Sequence, residues 1–453
     1  MKLRQLFLGA VTVALACAVI LRGQSFEMET FNPLSSTTSG LHLYGASVSG
    51  SYFSNPYGVF PTGLFGSGTS DLSTLQTSAT VGWLRQSQTA IMSLTYSPMF
   101  VHTLSGPTYQ SLNHSVAFSG KKTFGAKWTA AGSAQGVISD FSQLLFATTP
   151  YASASKVEST FDDLAAAVLT GRSDNAALAA LFTSAPLATS PETAVLYGSR
   201  ILAASAGASV SYASSSRSTY QASLQIIRAQ YFSPGSNGSS SGPNNVVPAT
   251  TSGLGSVAWS YSLTPRTVLS LSASTTRTIS KYQDAYGTQA MVTIGHTLSR
   301  RWFVRAGLGA GFISPLRETI AVSQGIQAPW RAGIGFKGYA HTLLASYERP
   351  VADMYGLGAN ATDVISVAWT WQRPGRSISA SGAFGYVRLV GPRFSNEGSW
   401  TAHASTQKAF GPHWGMMIGY TYLHSPNILI ASASTASQSG VMATLYWLPV
   451  SRR

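Results

Sequence analysis

From Leu41 onward, large apolar residues alternate with small or polar ones, the period-two mark of strands with two unlike faces. Trp302, Val304, Ala306, Leu308 and Ala310 alternate with Phe303, Arg305, Gly307, Gly309 and Gly311. Trp330, Ala332, Ile334 and Phe336 alternate with Arg331, Gly333, Gly335 and Lys337. Ile365, Val367, Trp369 and Trp371 do the same, as do Trp414, Met416, Ile418, Tyr420 and Tyr422. One face is large and apolar, the other small, polar and mostly neutral.

The strands come in pairs. Short turns are expected at 86–88, 120–122, 214–217, 264–266, 298–301, 337–340, 373–376 and 410–413. Longer loops are expected at 54–77, 98–111, 139–202, 233–250, 276–288, 314–328, 350–362, 390–397 and 426–437. Alternating short and long connections are the habit of transmembrane barrels. The pattern therefore predicts an all-β, closed antiparallel transmembrane β-barrel of about 18 strands (16–18) over residues 41–449. One segment departs from it: residues 157–204 read as three short helices, a helical insertion within the loop at about 139–202. Phe161, Leu164, Ala165 and Val168 recur at helical spacing, and Ser190-Pro191-Glu192 is a helix-start signal.

Composition sharpens this picture. The chain has 453 residues, 44 % hydrophobic and only 10 % charged, against roughly 25 % charge in an average soluble domain. Disorder is excluded by the apolar and aromatic content. Helical spans are excluded because the only long apolar run, residues 6–21, is short of the about 20 residues a span needs. With Lys2 and Arg4 before it, that run reads as a secretory signal peptide over 1–25, followed by an irregular lead-in over 26–40. Cys17 is the only cysteine; it lies inside the leader, where acylation is the weaker alternative to simple cleavage, so the mature chain has no disulfide.

The ten tryptophans give an independent test. Trp83, Trp128, Trp259, Trp302, Trp369, Trp371, Trp414 and Trp447 fall near short-turn ends, where a membrane-interface girdle would place them. Only Trp330 and Trp400 fall near long-loop ends. The net charge of +14 sorts likewise. Lys121, Lys122, Lys127, Arg217, Arg266, Arg300, Arg301, Lys337, Arg373, Arg376, Lys408, Arg452 and Arg453 lie at or beside the short-turn end, and the acids after Glu29 lie elsewhere. A ring of that kind fits anionic lipid headgroups; nucleic acid is not an expected partner, for there is no basic helix or basic patch with stacking aromatics.

With its leader, paired alternating strands, tryptophan girdle and cysteine-free mature chain, the sequence resembles bacterial outer-membrane β-barrel proteins of the porin-like kind. The last predicted strand, 440–448, with Gly440, Leu445, Tyr446 and Trp447, resembles the C-terminal signal read by the barrel-assembly machinery, although the chain ends Pro449-Val450-Ser451-Arg452-Arg453 rather than on an aromatic. The resemblance implies export to the outer membrane of a Gram-negative envelope and partnership with that machinery and with membrane lipid.

Chemistry is sparse. No G-x-S-x-G elbow and no H-E-x-x-H occur. The eight histidines are scattered, without metal-ligand spacing. Gly333, Gly335 and Gly338 match a dinucleotide fingerprint only formally, since they run inside a strand. No catalytic residue, cofactor or metal is expected. The inward face offers Arg305, Arg331, Lys337 and Glu348 as candidate lumen charges. The three cations either form a weak anion-attracting ladder or neutralise acids folded inward. The leading expectation is a porin-like channel for passive or weakly selective diffusion of small polar solutes. The alternatives are a surface scaffold or secretion-related barrel presenting the helical insertion, and a barrel enzyme with His341, His424, Asp353 or Asp363 near the long loops.

Overall fold

A computed structural model describes residues 39–54, 71–105, 110–140, 200–231, 249–280, 283–318, 325–351, 361–373, 377–391, 398–425 and 436–449. They form one antiparallel sheet of 18 strands. The strands are β1 Gly40–Ser54, β2 Leu72–Gln86, β3 Ala90–Ser105, β4 Gln110–Phe124, β5 Trp128–Asp140, β6 Arg200–Ala213, β7 Ser218–Tyr231, β8 Thr250–Thr264 and β9 Thr267–Ile279. They continue as β10 Gln283–Thr297, β11 Trp302–Glu318, β12 Trp330–Lys337, β13 His341–Arg349, β14 Ala361–Gln372, β15 Ile378–Val390, β16 Ser399–Ala409, β17 Trp414–Ser425 and β18 Ala436–Trp447. Each strand pairs with the next, and β18 returns to β1, Ala46 lying opposite Trp447 and Ser54 opposite Ser439. Closure leaves no open edge.

The odd-numbered strands run toward the long loops and the even-numbered ones return. The register places one parity of each strand outward, and this face is apolar and exposed. Leu224 is 58 % exposed, Val257 58 % and Leu308 71 %. The other parity is polar and covered: Ser51 and Thr74 are each 1 % exposed, and Thr293 5 %. The molecule is thus inverted relative to a water-soluble sandwich, which would hide the apolar face.

Several expected boundaries move. The residues expected as a turn at 120–122 belong to β4, and the chain reverses at 125–127 instead, where Gly125 takes the left-handed conformation (φ 62°). The 98–111 loop is mostly strand, since β3 runs to Ser105 and β4 starts at Gln110. Pro98 sits within β3 opposite His114. Its missing N–H coincides with a lapse in the β2–β3 ladder, which jumps from Ser78/Met99 to Val81/Tyr96. The 276–288 loop is mostly strand, since β9 runs to Ile279 and β10 starts at Gln283. Within the segment read as helical, 200–204 belong to β6, and 139–140 belong to β5. The rest of the helical insertion, the signal peptide and Asp353 lie outside the described residues.

Candidate functional site in the barrel interior

The inner wall is built largely of hydroxyls turned toward one another across neighbouring strands. Ser49 meets Thr444 at 2.9 Å, Ser93 meets Ser119 at 2.7 Å, and Ser223 meets Ser256 at 2.6 Å. Ser252–Thr278, Ser346–Ser366 and Ser381–Ser405 repeat the arrangement further round. Ser and Thr alternate with apolar residues along each strand, so antiparallel pairing stacks hydroxyl opposite hydroxyl. Each hydroxyl keeps acceptor capacity beyond that single bond.

Larger inward side chains are seated on glycines of the adjacent strand. A Cβ at Gly335 would stand 1.9 Å from Cζ of Phe303, which is wholly buried. A Cβ at Gly415 would meet the Tyr446 hydroxyl at 2.1 Å, and one at Gly309 would meet Met291 Cγ at 2.8 Å. Only glycine permits this approach, and each large side chain lies across its neighbour's backbone. The glycines of β11 and β12, expected merely to keep the inner face small, serve as seats.

The candidate charges occupy the same region. Arg305 lies against Gly333, its Nε 3.2 Å from where a Cβ would be, and Arg331 lies against Gly307. Arg305 Nη2 donates to Glu348 Oε1 at 2.5 Å, with the two side chains 11 % and 13 % exposed. Glu348 is in register with Arg331, whose Nε has no acceptor among the described residues. Arg305 is therefore compensated by a strand acid rather than by a loop acid. Lys337, at the far end of β12 opposite Thr342, belongs to the same wall, about 20 Å along the strand from Arg331 at 3.3 Å per residue.

The 350–362 segment was expected as an outer loop, but it begins by turning inward. Val351, 1 % exposed, packs with Ala285 of β10 and Ile313 of β11. Its N–H donates to Gln289 Oε1 at 3.0 Å. A Cβ at Gly311 would come within 3.2 Å of Val351. Val351, two residues past β13, thus rests on the inner side of β10–β11. No residue spacing announces this; the stripe Gly307, Gly309, Gly311 is the one sequence trace of the room it needs.

The eight tryptophans expected in a girdle, Trp83, Trp128, Trp259, Trp302, Trp369, Trp371, Trp414 and Trp447, all lie on the outward parity near the short turns. Several pack at a tilt against neighbours, Trp128 on Tyr212 with ring centres 4.5 Å apart and Trp302 on Phe336 at 4.7 Å. A second aromatic level forms at the long-loop end, where Trp330 meets Tyr347 at 4.1 Å and Trp400 meets Tyr422 at 4.9 Å. Of the residues weighed for catalysis, the three that are described, His341, Asp363 and His424, are not brought together. His341 opens β13 at the short-turn end and accepts from Trp369 Nε1 at 3.3 Å, whereas Asp363 and His424 stand on β14 and β17 at the opposite end. No group of three potential metal ligands occurs among the described residues.

No protein-family model matches the sequence, and no curated protein matches it. Among solved structures, the fold is similar to Acinetobacter baumannii OccAB4, with a TM-score of 0.42 and 9 % identity over 92 % of this chain and 99 % of that one. It is similar to Pseudomonas aeruginosa OccK2 (OpdF), solved in complex with glucuronate, with a TM-score of 0.40 and 10 % identity over 91 % and 100 %. It is also similar to Pseudomonas aeruginosa OpdO, with a TM-score of 0.40 and 12 % identity over 89 % and 96 %. The barrel assignment rests on this chain's own strand pairing, not on those low scores.

Proposed function

We propose that this protein is a porin-like channel of a bacterial outer membrane, passing small polar solutes down their gradient. The carrying observation is the inversion of the wall, with exposed apolar residues outside and paired hydroxyls inside. Exposed leucines and valines on an outward barrel face are favourable only against lipid, and a barrel is one of the two backbone designs that span lipid without stranded N–H or C=O groups. An interior of about 18 strands is wide enough to be water-filled.

Uncharged hydroxyls offer hydrogen bonds without a strong field, which suits weak binding and rapid release of neutral polar solutes. The two arginines and one glutamate of the Arg305–Arg331–Glu348 group add a single net positive charge, supporting a mild anion preference. Val351, turned inward onto β10 and β11, shares the inner wall with them. Export behind a cleaved leader and insertion by the barrel-assembly machinery belong to this reading.

Refolded full-length chain in planar bilayers is expected to give discrete ion-conducting steps, and Glu348→Gln is expected to raise the anion-to-cation permeability ratio. A heat-modifiable barrel that never conducts would overturn the channel reading and favour a surface scaffold.

A further inference from the structure

The outward face carries charges that a lipid-facing wall should not tolerate. Near the long-loop end of every upward strand from β7 to β15 stands one arginine: Arg228, Arg277, Arg317, Arg349 and Arg388. Arg228 shares its face with exposed Leu224 and Ile226, and Arg388 shares its face with exposed Phe384. Arg317 follows exposed Leu316 and faces Asp284 across a bulge. These side chains therefore point away from the channel.

Two of the groups share one plan. Arg277 donates from Nε and Nη2 to Asp284 at 3.0 and 2.9 Å and stacks on Tyr286 at 5.4 Å. Arg349 donates from Nε and Nη2 to Asp363 at 2.5 and 2.9 Å, and Arg388 donates to the same carboxylate from the same two nitrogens. The Tyr347 hydroxyl completes the group at 2.8 Å, and Trp330 lies 5.9 Å beneath Arg349. Arg228 is held in the same manner by an amide, donating from Nε and Nη2 to Gln230 Oε1.

In Arg228, Arg277, Arg349 and Arg388 the Nε–Nη2 edge is thus fixed from within. The bonds to Gln230, Asp284 and Asp363 all run from that edge and leave Nη1 outside them. The acids are more covered than the arginines: Asp363 is 2 % exposed against 30 % for both of its partners, and Asp284 is 20 % against 42 % for Arg277. Positive charge is what the surface presents. With five arginines and two aspartates the band has an excess of three positive charges, at the height of the second aromatic level. A planar guanidinium already oriented along one edge is suited to a phosphate oxygen on the other.

We infer that this arc, β7 to β15, is a docking surface for phosphate-bearing lipid headgroups in the leaflet at the long-loop rim. The carboxylates and Gln230 position the guanidinium groups, and the aromatic level beneath them receives the upper acyl chain and glycerol or sugar. The inference rests on the membrane reading but not on conduction: a barrel that conducts and ignores anionic lipid would sink this inference alone.

The test compares unfolding of the refolded chain in phosphatidylcholine vesicles with and without phosphatidic acid, a lipid bearing a phosphate monoester. Phosphatidic acid is expected to raise the wild-type unfolding midpoint, since a ligand of the folded state stabilises it by mass action. Arg228→Gln, which strands no carboxylate, is expected to weaken lipid affinity about fivefold. The triple variant Arg349→Gln, Asp363→Asn, Arg388→Gln removes two cations without leaving a buried charge, and is expected to weaken it further. Asp363→Asn alone keeps both guanidinium groups and an acceptor for them, and should lower lipid-independent stability while retaining the lipid-dependent shift. The inference is overturned if Arg228→Gln and the triple variant keep the full shift, if inorganic phosphate produces the same shift, or if Lys122→Gln and Lys408→Gln at the opposite rim abolish it.

Discussion

Single residues divide here into those whose direction matters and those whose absence of a side chain matters. Gly335 belongs to the second kind, because the Phe303 ring fills the place of its Cβ. Gly335→Ala is expected to cost about 1–3 kcal/mol, the usual penalty of overpacking a fitted contact. Urea unfolding in vesicles would measure it. Phe303→Ala in the same background should recover most of the loss, because the two positions are coupled by direct contact. Equal losses from Gly335→Ala with and without the ring would remove the seat from the argument. Alternation alone revealed which face Arg305, Arg331 and Glu348 share, since parity is a one-dimensional property. It could not reveal the seats, which depend on cross-strand register. The rim arginines were legible in principle: Arg228, Arg277, Arg349 and Arg388 stand in the parity of the apolar face, a local conflict that marks a site. Arg277 was hidden because 276–288 reads as a loop, whereas β9 runs on to Ile279.

At the scale of the element, strand number and pairing were readable and hairpin tips less so. Turns at 214–217, 298–301 and 410–413 fall between the observed strands as expected. The turn expected at 120–122 was misplaced because Gly120-Lys121-Lys122 looks like a tip, whereas the left-handed residue that a tight reversal needs is Gly125. Polar rims imitate loops, which is why β9 and β10 extend beyond the expected ends. The inward course after β13 is an element with no period at all, and only its docking partners define it. Gln289→Ala removes the acceptor of the Val351 N–H, together with one cross-strand bond from Gln289 Nε2 to Ser274 Oγ. The variant is expected to show larger and noisier single-channel conductance in planar bilayers than the wild type, as the segment loses its tether. Unchanged conductance would mean that Val351 does not bound the path.

The whole molecule is bounded by two aromatic levels, and their separation sets the bilayer it fits. On β13 the nine residues from His341, beside the Trp369 level, to Arg349, beside Trp330, cover the outward wall from rim to rim. The eight steps between them rise about 26 Å, and at a tilt near 40° about 20 Å of height. That does not exceed the roughly 25 Å apolar band of outer-membrane barrels and is well short of a typical 30 Å hydrocarbon core. A thicker bilayer would drag the charged rims, Lys122 and Lys408 below and the arginines above, toward hydrocarbon, at a cost of fractions of a kcal/mol per Å of mismatch. Strand closure offers no relief, since a barrel cannot shorten its wall without breaking the β18–β1 register. Refolding into vesicles of graded acyl length is therefore expected to be fastest and most complete in short-chain lipids and to fall steadily as chains lengthen, read by the heat-modifiable band and by tryptophan emission. Removing rim charge with Arg228→Gln and Lys408→Gln should flatten that dependence, because it is the charged rims that the thicker bilayer penalises. A dependence on chain length identical in wild type and variant would place the limit in the backbone wall instead.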